Sequence, residues 1–234
     1  PALVRFKNQI QYTLFKKANA TGVIVGKKGY LFEEDYIRAY TGGDYLGEWF
    51  WNEKFRRAKM VQDTLNSLGT KLALILEPGK ASYYPEYIPK QYLLDTLPRT
   101  NYDEILSQVS STDLPTLDLN ALFIERKNHA KYPYFPKGGI HWSYAAMLES
   151  VDTLLDFANS ISSFSIPDIE IMKGDVPNEL RDTDNDLLEI MNLMIDPKYQ
   201  DMHYPKFQIQ AKADSIKPKV LAISDSFYFN ILNA

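Results

Sequence analysis

Leu72-Ala73-Leu74-Ile75-Leu76 is an unbroken apolar run, too short for a buried helix and lacking the alternation of a strand wetted on one face. Such a run predicts a strand covered on both sides, as in a parallel sheet held between helices. Val23-Ile24-Val25 and Val220-Leu221-Ala222-Ile223 read the same way. Between these runs the period changes. Ala58, Val61, Leu65 and Leu68 share one helical face, with Gly69 placed to end the helix. Met147, Val151, Leu154, Leu155 and Ala158 repeat the spacing behind Ser143, a candidate N-cap, and residues 186–194 predict another short helix. Strands alternating with helices predict an α/β domain: a mainly parallel central sheet, flanked on both faces, with residues 72–76 and 220–223 as solvent-excluded strands.

The chain of 234 residues carries 26 Lys+Arg against 30 Asp+Glu, a formal charge of −4, and is 45% apolar. This is the composition of a folded globular domain, so disorder and fibrous repeats are excluded. The mild acidity offers no field for nucleic acid or an anionic membrane. The absence of cysteine removes a disulfide framework, a thiol nucleophile and a Cys-ligated zinc site. No apolar stretch is long enough to span a bilayer. The chain opens at Pro1, which is compatible with a removed leader. Residues 227–234 read as the start of a helix with nothing after it, so residues 1–234 are expected to be one domain truncated at its C-terminus.

The long loops at 77–98 and 128–139 are rich in tyrosine and proline, suited either to stacking on carbohydrate or to their own packing. Ser224-Asp225-Ser226-Phe227 follows the third apolar run, so Ser226 falls at a strand's carboxyl end where a helix begins. Sheets of this class place their sites there, and helix-start amides can hold an oxyanion beside the hydroxyl. A helix cap is the competing reading of the same residues.

A serine nucleophile needs a base. His129 lies in a charged, solvated stretch, and His203 in a polar loop. His141, in Gly138-Gly139-Ile140-His141-Trp142-Ser143, follows two glycines that permit close backbone approach, with Trp142 able to shut out water. Lys80 and Tyr84 follow the second strand and either hold substrate hydroxyls or a carboxylate, or Tyr84 packs the loop while Lys80 points to water. No phosphate-binding glycine loop and no paired histidines occur, so neither a cofactor nor a metal is expected.

Four segments together resemble a known family. Gly22-Val23-Ile24-Val25-Gly26-Lys27-Lys28-Gly29-Tyr30-Leu31-Phe32 is similar to the opening strand of the alginate O-acetyltransferase-like branch of the SGNH hydrolases. Pro78-Gly79-Lys80, running on to Tyr84-Pro85-Glu86 and Pro89, matches its Pro-x-Lys…Tyr-Pro-Glu-x-x-Pro segment. His141-Trp142 matches its His-Trp motif, and Ser224-Asp225-Ser226-Phe227 its Gly-Asp-Ser-Phe motif. The segments keep the family's order across nearly the whole chain. The resemblance implies an SGNH-like three-layer sandwich, Ser226 as nucleophile and His141 as base. It also implies periplasmic or secreted work on acetyl groups of a polysaccharide, with substrate contacts from Lys80, Tyr84 and Trp142. An acetyl donor is then needed, handed on in one version by a membrane acetyltransferase partner.

Two positions depart from the pattern. Ser224 replaces the motif's glycine, and Gly139 stands where the family has the aspartate that orients the histidine. The acceptor for the far nitrogen of His141 is therefore expected from outside its own motif. The candidates are a main-chain carbonyl or a carboxylate among Asp182, Asp184 and Asp186. A solvated turn is the other reading of that acidic stretch; a calcium loop lacks its glycine and its closing glutamate. If no acceptor is supplied, the fold serves instead as a glycan-binding or assembly module without chemistry.

Overall fold

The computed structural model describes residues 2–175, 180–199, 202–211 and 214–233. In chain order, helix α1 (Ala2–Phe15) leads to a hairpin of β1 (Val23–Val25) and β2 (Leu31–Glu33), which runs into α2 (Glu34–Tyr40) and α3 (Glu48–Ser67). β3 (Leu74–Leu76) and α4 (Lys80–Tyr83) come next, then α5 (Asn101–Ser110), β4 (Thr116–Asp118), α6 (Leu119–Arg126) and α7 (Tyr144–Ile161). β5 (Asp168–Asp175), α8 (Asp186–Met191), β6 (Tyr204–Gln210) and α9 (Ser226–Leu232) complete the chain.

The strands pair in twos. β3 runs parallel to β4, while β1 with β2 and β5 with β6 are antiparallel. Among the described residues only the β3–β4 pair is parallel, so the expected mainly parallel central sheet is not seen there, and Val23–Val25, read as one of its strands, is instead half of an antiparallel hairpin. The run at 72–76 is a strand only from Leu74, and it is half-buried rather than solvent-excluded. The third run is a plainer correction. Val220, Leu221 and Ile223 are 74%, 89% and 95% exposed and belong to no described ladder. An apolar run states a preference for burial, but only a neighbouring strand can satisfy its backbone, and no described strand lies against this one.

The helices match their signals more closely. Ser143 caps α7, its hydroxyl accepting from the Ala146 amide, and Met147 and Leu148 are buried beneath it. Gly69 takes φ +74° just past α3, the left-handed conformation that a helix stop requires. The buried face of α3 is centred on Phe55 and Gln62 rather than on Val61 and Leu68, which are exposed. Gln62 donates to the Asp113 carbonyl, and that bond draws the polar position inward.

Two apolar clusters hold the motif residues in place. One gathers Tyr83, Phe123, Tyr134, Phe135, Trp142, Met147 and Phe227 from α4, α6, the 134–142 loop, α7 and α9. The other joins Val23, Val25 and Leu31 of the hairpin to Ile140 and to Leu187, Leu188 and Met191 of α8. No helix among the described residues is long and apolar enough to cross a membrane.

Candidate active site

His141 stands between the two clusters, because Ile140 is buried in one and Trp142 in the other. Ser226 is the first residue of α9, and Phe227, buried behind it, belongs to the same cluster as Trp142. With both neighbours anchored in one core, the intervening polar side chains have little choice of position. His141 Nε2 lies 2.9 Å from Ser226 Oγ across 85 positions of sequence. The cap of α9 is Asp225, whose carboxylate accepts from the Phe227 amide, so the hydroxyl of Ser226 is not used as a cap.

The far nitrogen, His141 Nδ1, lies 2.8 Å from Asp186 Oδ2. The other oxygen of Asp186 accepts from the Ile140 amide at 2.9 Å and from its own neighbour Leu187 at 2.7 Å. One carboxylate thus holds both the ring and the backbone that carries it. Such a contact keeps the proton on Nδ1 and leaves Nε2 free to accept from the serine. Of the other acidic candidates, Asp184 is buried and bonded to the Tyr204 hydroxyl, and the side chain of Asp182 lies outside the described residues.

The glycines at 138 and 139 explain why the acid comes from α8. A Cβ on Gly139 would run into the Thr183 carbonyl oxygen and sit 2.9 Å from the Asp184 carbonyl carbon. One on Gly138 would lie 2.6 Å from the Tyr199 ring. Gly138 also accepts from the Leu188 amide at 3.0 Å. The missing side chains make room for the 183–188 segment, and that segment carries Asp186 to the imidazole. An aspartate at 139 and an acid from α8 exclude one another sterically.

Lys80 has a role its sequence position did not announce. It is only 1% exposed, and its ammonium donates to the carbonyls of Pro136 at 2.6 Å, Lys137 at 3.1 Å and Gly139 at 2.6 Å. The rings of Tyr30 and Phe32 lie against it. Burial pulls its pKa down to about 7. Lys80 is therefore not on the rim of a cleft; it ties down the loop that presents His141. Tyr84 likewise sits in an aromatic cluster with Tyr30, Tyr83, Tyr87 and Phe135, and no described contact joins it to Ser226 or His141. Trp142 is 2% exposed and packs edge-on against Phe227, which makes it a wall rather than a stacking platform. Of the other histidines, His129 is exposed and His203 packs on Tyr132.

Two carboxyls near the site carry no motif. Glu77, at the carboxyl end of β3, is pushed up to about 8 by burial and then by the Asp225 carboxylate. Glu33 is raised by burial, Asp35 and Asp186, while the charge of His141 opposes the shift. Glu33 ends β2 and Glu77 follows β3, placements that give no chemical signal in sequence.

Comparison with known proteins bears on the family and the fold. The family model described as "SGNH hydrolase-like domain, acetyltransferase AlgX" matches residues 23–157. A protein of Pseudomonas aeruginosa named "Probable alginate O-acetylase AlgJ" is 29% identical over 137 residues, 57% of this chain and 32% of that one. Its namesake in Pseudomonas putida is 27% identical over the same length, 57% and 33%. The chain thus spans about a third of the length of these curated relatives. Among solved structures, the O-acetyltransferase domain of Pseudomonas putida AlgJ superimposes with a TM-score of 0.52 at 20% identity, covering 80% of this chain and 66% of that one. Pseudomonas aeruginosa AlgX gives 0.54 at 15% identity, covering 82% and 44%. These two likenesses speak to the fold, which is SGNH hydrolase-like.

Proposed function

This chain belongs to the family of SGNH hydrolase-like acetyltransferase AlgX domains, and from that membership we propose that it is a serine-dependent O-acetyltransferase acting on a polysaccharide. Ser226 Oγ attacks the carbonyl carbon of an acetyl ester while His141 Nε2 takes its proton. The ester C–O bond then breaks, and the leaving oxygen recovers that proton from the imidazolium. Acetyl-Ser226 remains. A sugar hydroxyl, deprotonated by His141, attacks the acetyl carbon, and Ser226 leaves with the proton. Water in place of the sugar makes the same sequence of steps an esterase.

The observation that carries this reading is the chain of contacts from Ser226 to His141 at 2.9 Å and from His141 to Asp186 at 2.8 Å. Asp186, facing His141 Nδ1, holds the ring in the orientation and tautomer that each step needs. As the first residue of α9, Ser226 has an amide without an intrahelical partner, suited to receive the oxyanion. Gly139 is the motive for a binding module without chemistry; the carboxylate of Asp186 at His141 Nδ1 supports the enzyme instead.

The names of the relatives make alginate the first acceptor to try. The family resemblance carries with it a periplasmic or exported setting and an acetyl donor supplied by a partner. The test is transfer of acetyl from an activated ester to an alginate oligosaccharide, followed by mass spectrometry of the sugar. Acetylated sugar with the wild type and none with Ser226→Ala is expected. An acetylation rate unchanged in Ser226→Ala would sink the proposal.

A further inference from the structure

Each element that brings a residue to the triad also sends one into a pocket beside it. The pocket, of about 220 Å³, is lined by Trp142, the residue after His141, and by Thr183 and Asp184, just before Asp186. Asn230 of α9 and Asn233 just past its end close it, together with Tyr144, Arg181 and Tyr204. Asn230 is four residues beyond Ser226, on the same face of the helix and about one turn along it. One wall of the pocket therefore lies about a helical turn from the nucleophile.

Two of its lining side chains carry buried polar atoms with no hydrogen-bond partner: the indole Nε1 of Trp142 and the Oδ1 of Asn230. Trp142 is 2% exposed, so its indole faces no bulk solvent. Asn230 is held in orientation by its amide, which donates to Thr183 Oγ1 at 3.2 Å, and this leaves the carbonyl oxygen as the unpaired end. Buried polar atoms are nearly always paired, and an orphaned donor and an orphaned acceptor in one pocket call for a group that can both accept and donate. A hydroxyl does both. The remaining wall suits a polyhydroxylated ring: the Arg181 guanidinium lies over Tyr204 at 4.6 Å, and Asn233 adds an amide.

Size narrows the ligand further. The pocket holds the volume of about seven waters in the liquid, and it falls below the roughly 300–1,000 Å³ of drug-sized sites. It fits one pyranose unit, not a run of several. Resting on the transferase reading, we propose that this pocket is the subsite for a single sugar residue of the acceptor, one ring hydroxyl bridging Trp142 Nε1 and Asn230 Oδ1. Held there, the acceptor chain lies beside Ser226 with a neighbouring hydroxyl within reach of the acetyl group.

The test reads the indole directly and needs no turnover. The protein has three tryptophans; Trp49 is 80% exposed and Trp51 already donates to Asn101. Indole ¹H–¹⁵N signals are assigned by elimination with Trp49→Phe and Trp51→Phe, in the Ser226→Ala background so that no acetyl chemistry intervenes. Titration uses an alginate oligosaccharide and, in a second arm, a neutral glucan oligosaccharide of equal length. A saturable downfield shift of the Trp142 signal alone, with either sugar, is expected, and Asn230→Ala should weaken that saturation at least tenfold. No shift of Trp142 with either sugar, or a shift indifferent to Asn230→Ala, overturns the subsite. Failure of acetyl-Ser226 to form would instead strike the catalytic reading and leave this result standing.

Discussion

Trp142 meets Phe227 edge to face, with ring centroids 5.3 Å apart and planes at 71°. Each ring belongs to the residue immediately after a member of the proposed triad, so a core contact sets the separation of His141 and Ser226. Aromatic packing of this kind is worth about 0.5–1.5 kcal/mol beyond the area it buries. It fixes the pair without using either polar side chain, and both remain available for chemistry.

Asp186→Asn should keep the fold and lose the rate. The amide oxygen can still accept from the Ile140 and Leu187 amides, but an amide facing Nδ1 no longer demands a proton there. By analogy with other serine triads, kcat is expected to fall by about 10⁴-fold, with the melting temperature close to wild type. A variant that keeps a tenth or more of wild-type kcat would show that the carboxylate does not orient the ring.

Gly139→Asp would restore the family's acid by sequence and damage the site by structure. The new Cβ meets the Thr183 carbonyl and the Asp184 backbone, neither of which can swing aside as a side chain can. Overpacking of this kind costs about 1–3 kcal/mol, and displacing residues 183–186 also withdraws Asp186. Urea denaturation should show the loss, together with lower activity. A variant as stable and more active than wild type would refute the steric account.

Lys80→Met separates a tether from a substrate contact. It leaves the carbonyls of Pro136, Lys137 and Gly139 without their donor. Each orphaned group costs about 1–3 kcal/mol, offset in part by removing a buried charge. Lower stability in urea with a fall in kcat is expected. An unchanged melting temperature with a raised KM for the sugar would mean that Lys80 binds substrate after all.

The range of each contact decides how much of the site is legible in sequence. His141 and Ser226 stand in motifs, and the α7 cap at Ser143 is a local signal. The acceptor for His141 can be narrowed to a main-chain carbonyl or one of three aspartates but not chosen, because the contact to Asp186 spans 45 positions. Lys80 reads in sequence as a substrate contact or a solvent-seeking charge; only the three carbonyls around it reveal otherwise. The run at 220–223 misleads for the opposite reason, since apolar composition says nothing of which strand will be alongside. Gly139 reads as a loss as long as the segment packed against it is unknown.

Glu77 should leave a mark on the pH dependence of stability. Its pKa in the folded protein, about 8, lies well above the ordinary carboxylate value. Between those two values the unfolded chain releases a proton that the folded one keeps, so this group makes stability fall as pH rises from about 4.5 to 8. Glu77→Gln, which cannot ionise, should flatten that part of the profile and gain stability relative to wild type at pH 8. A wild-type profile that rises through this window, with no difference in the variant, would contradict the assignment.

The central claim is a covalent one, and intact-protein mass spectrometry after brief exposure to an activated acetyl ester tests it most directly. One acetyl group is predicted on the wild-type chain, mapped to Ser226 by fragmentation, accumulating much more slowly in Asp186→Asn and absent from Ser226→Ala. No adduct on the wild type under conditions that acetylate a known serine esterase, or an equal adduct on Ser226→Ala, would contradict the account.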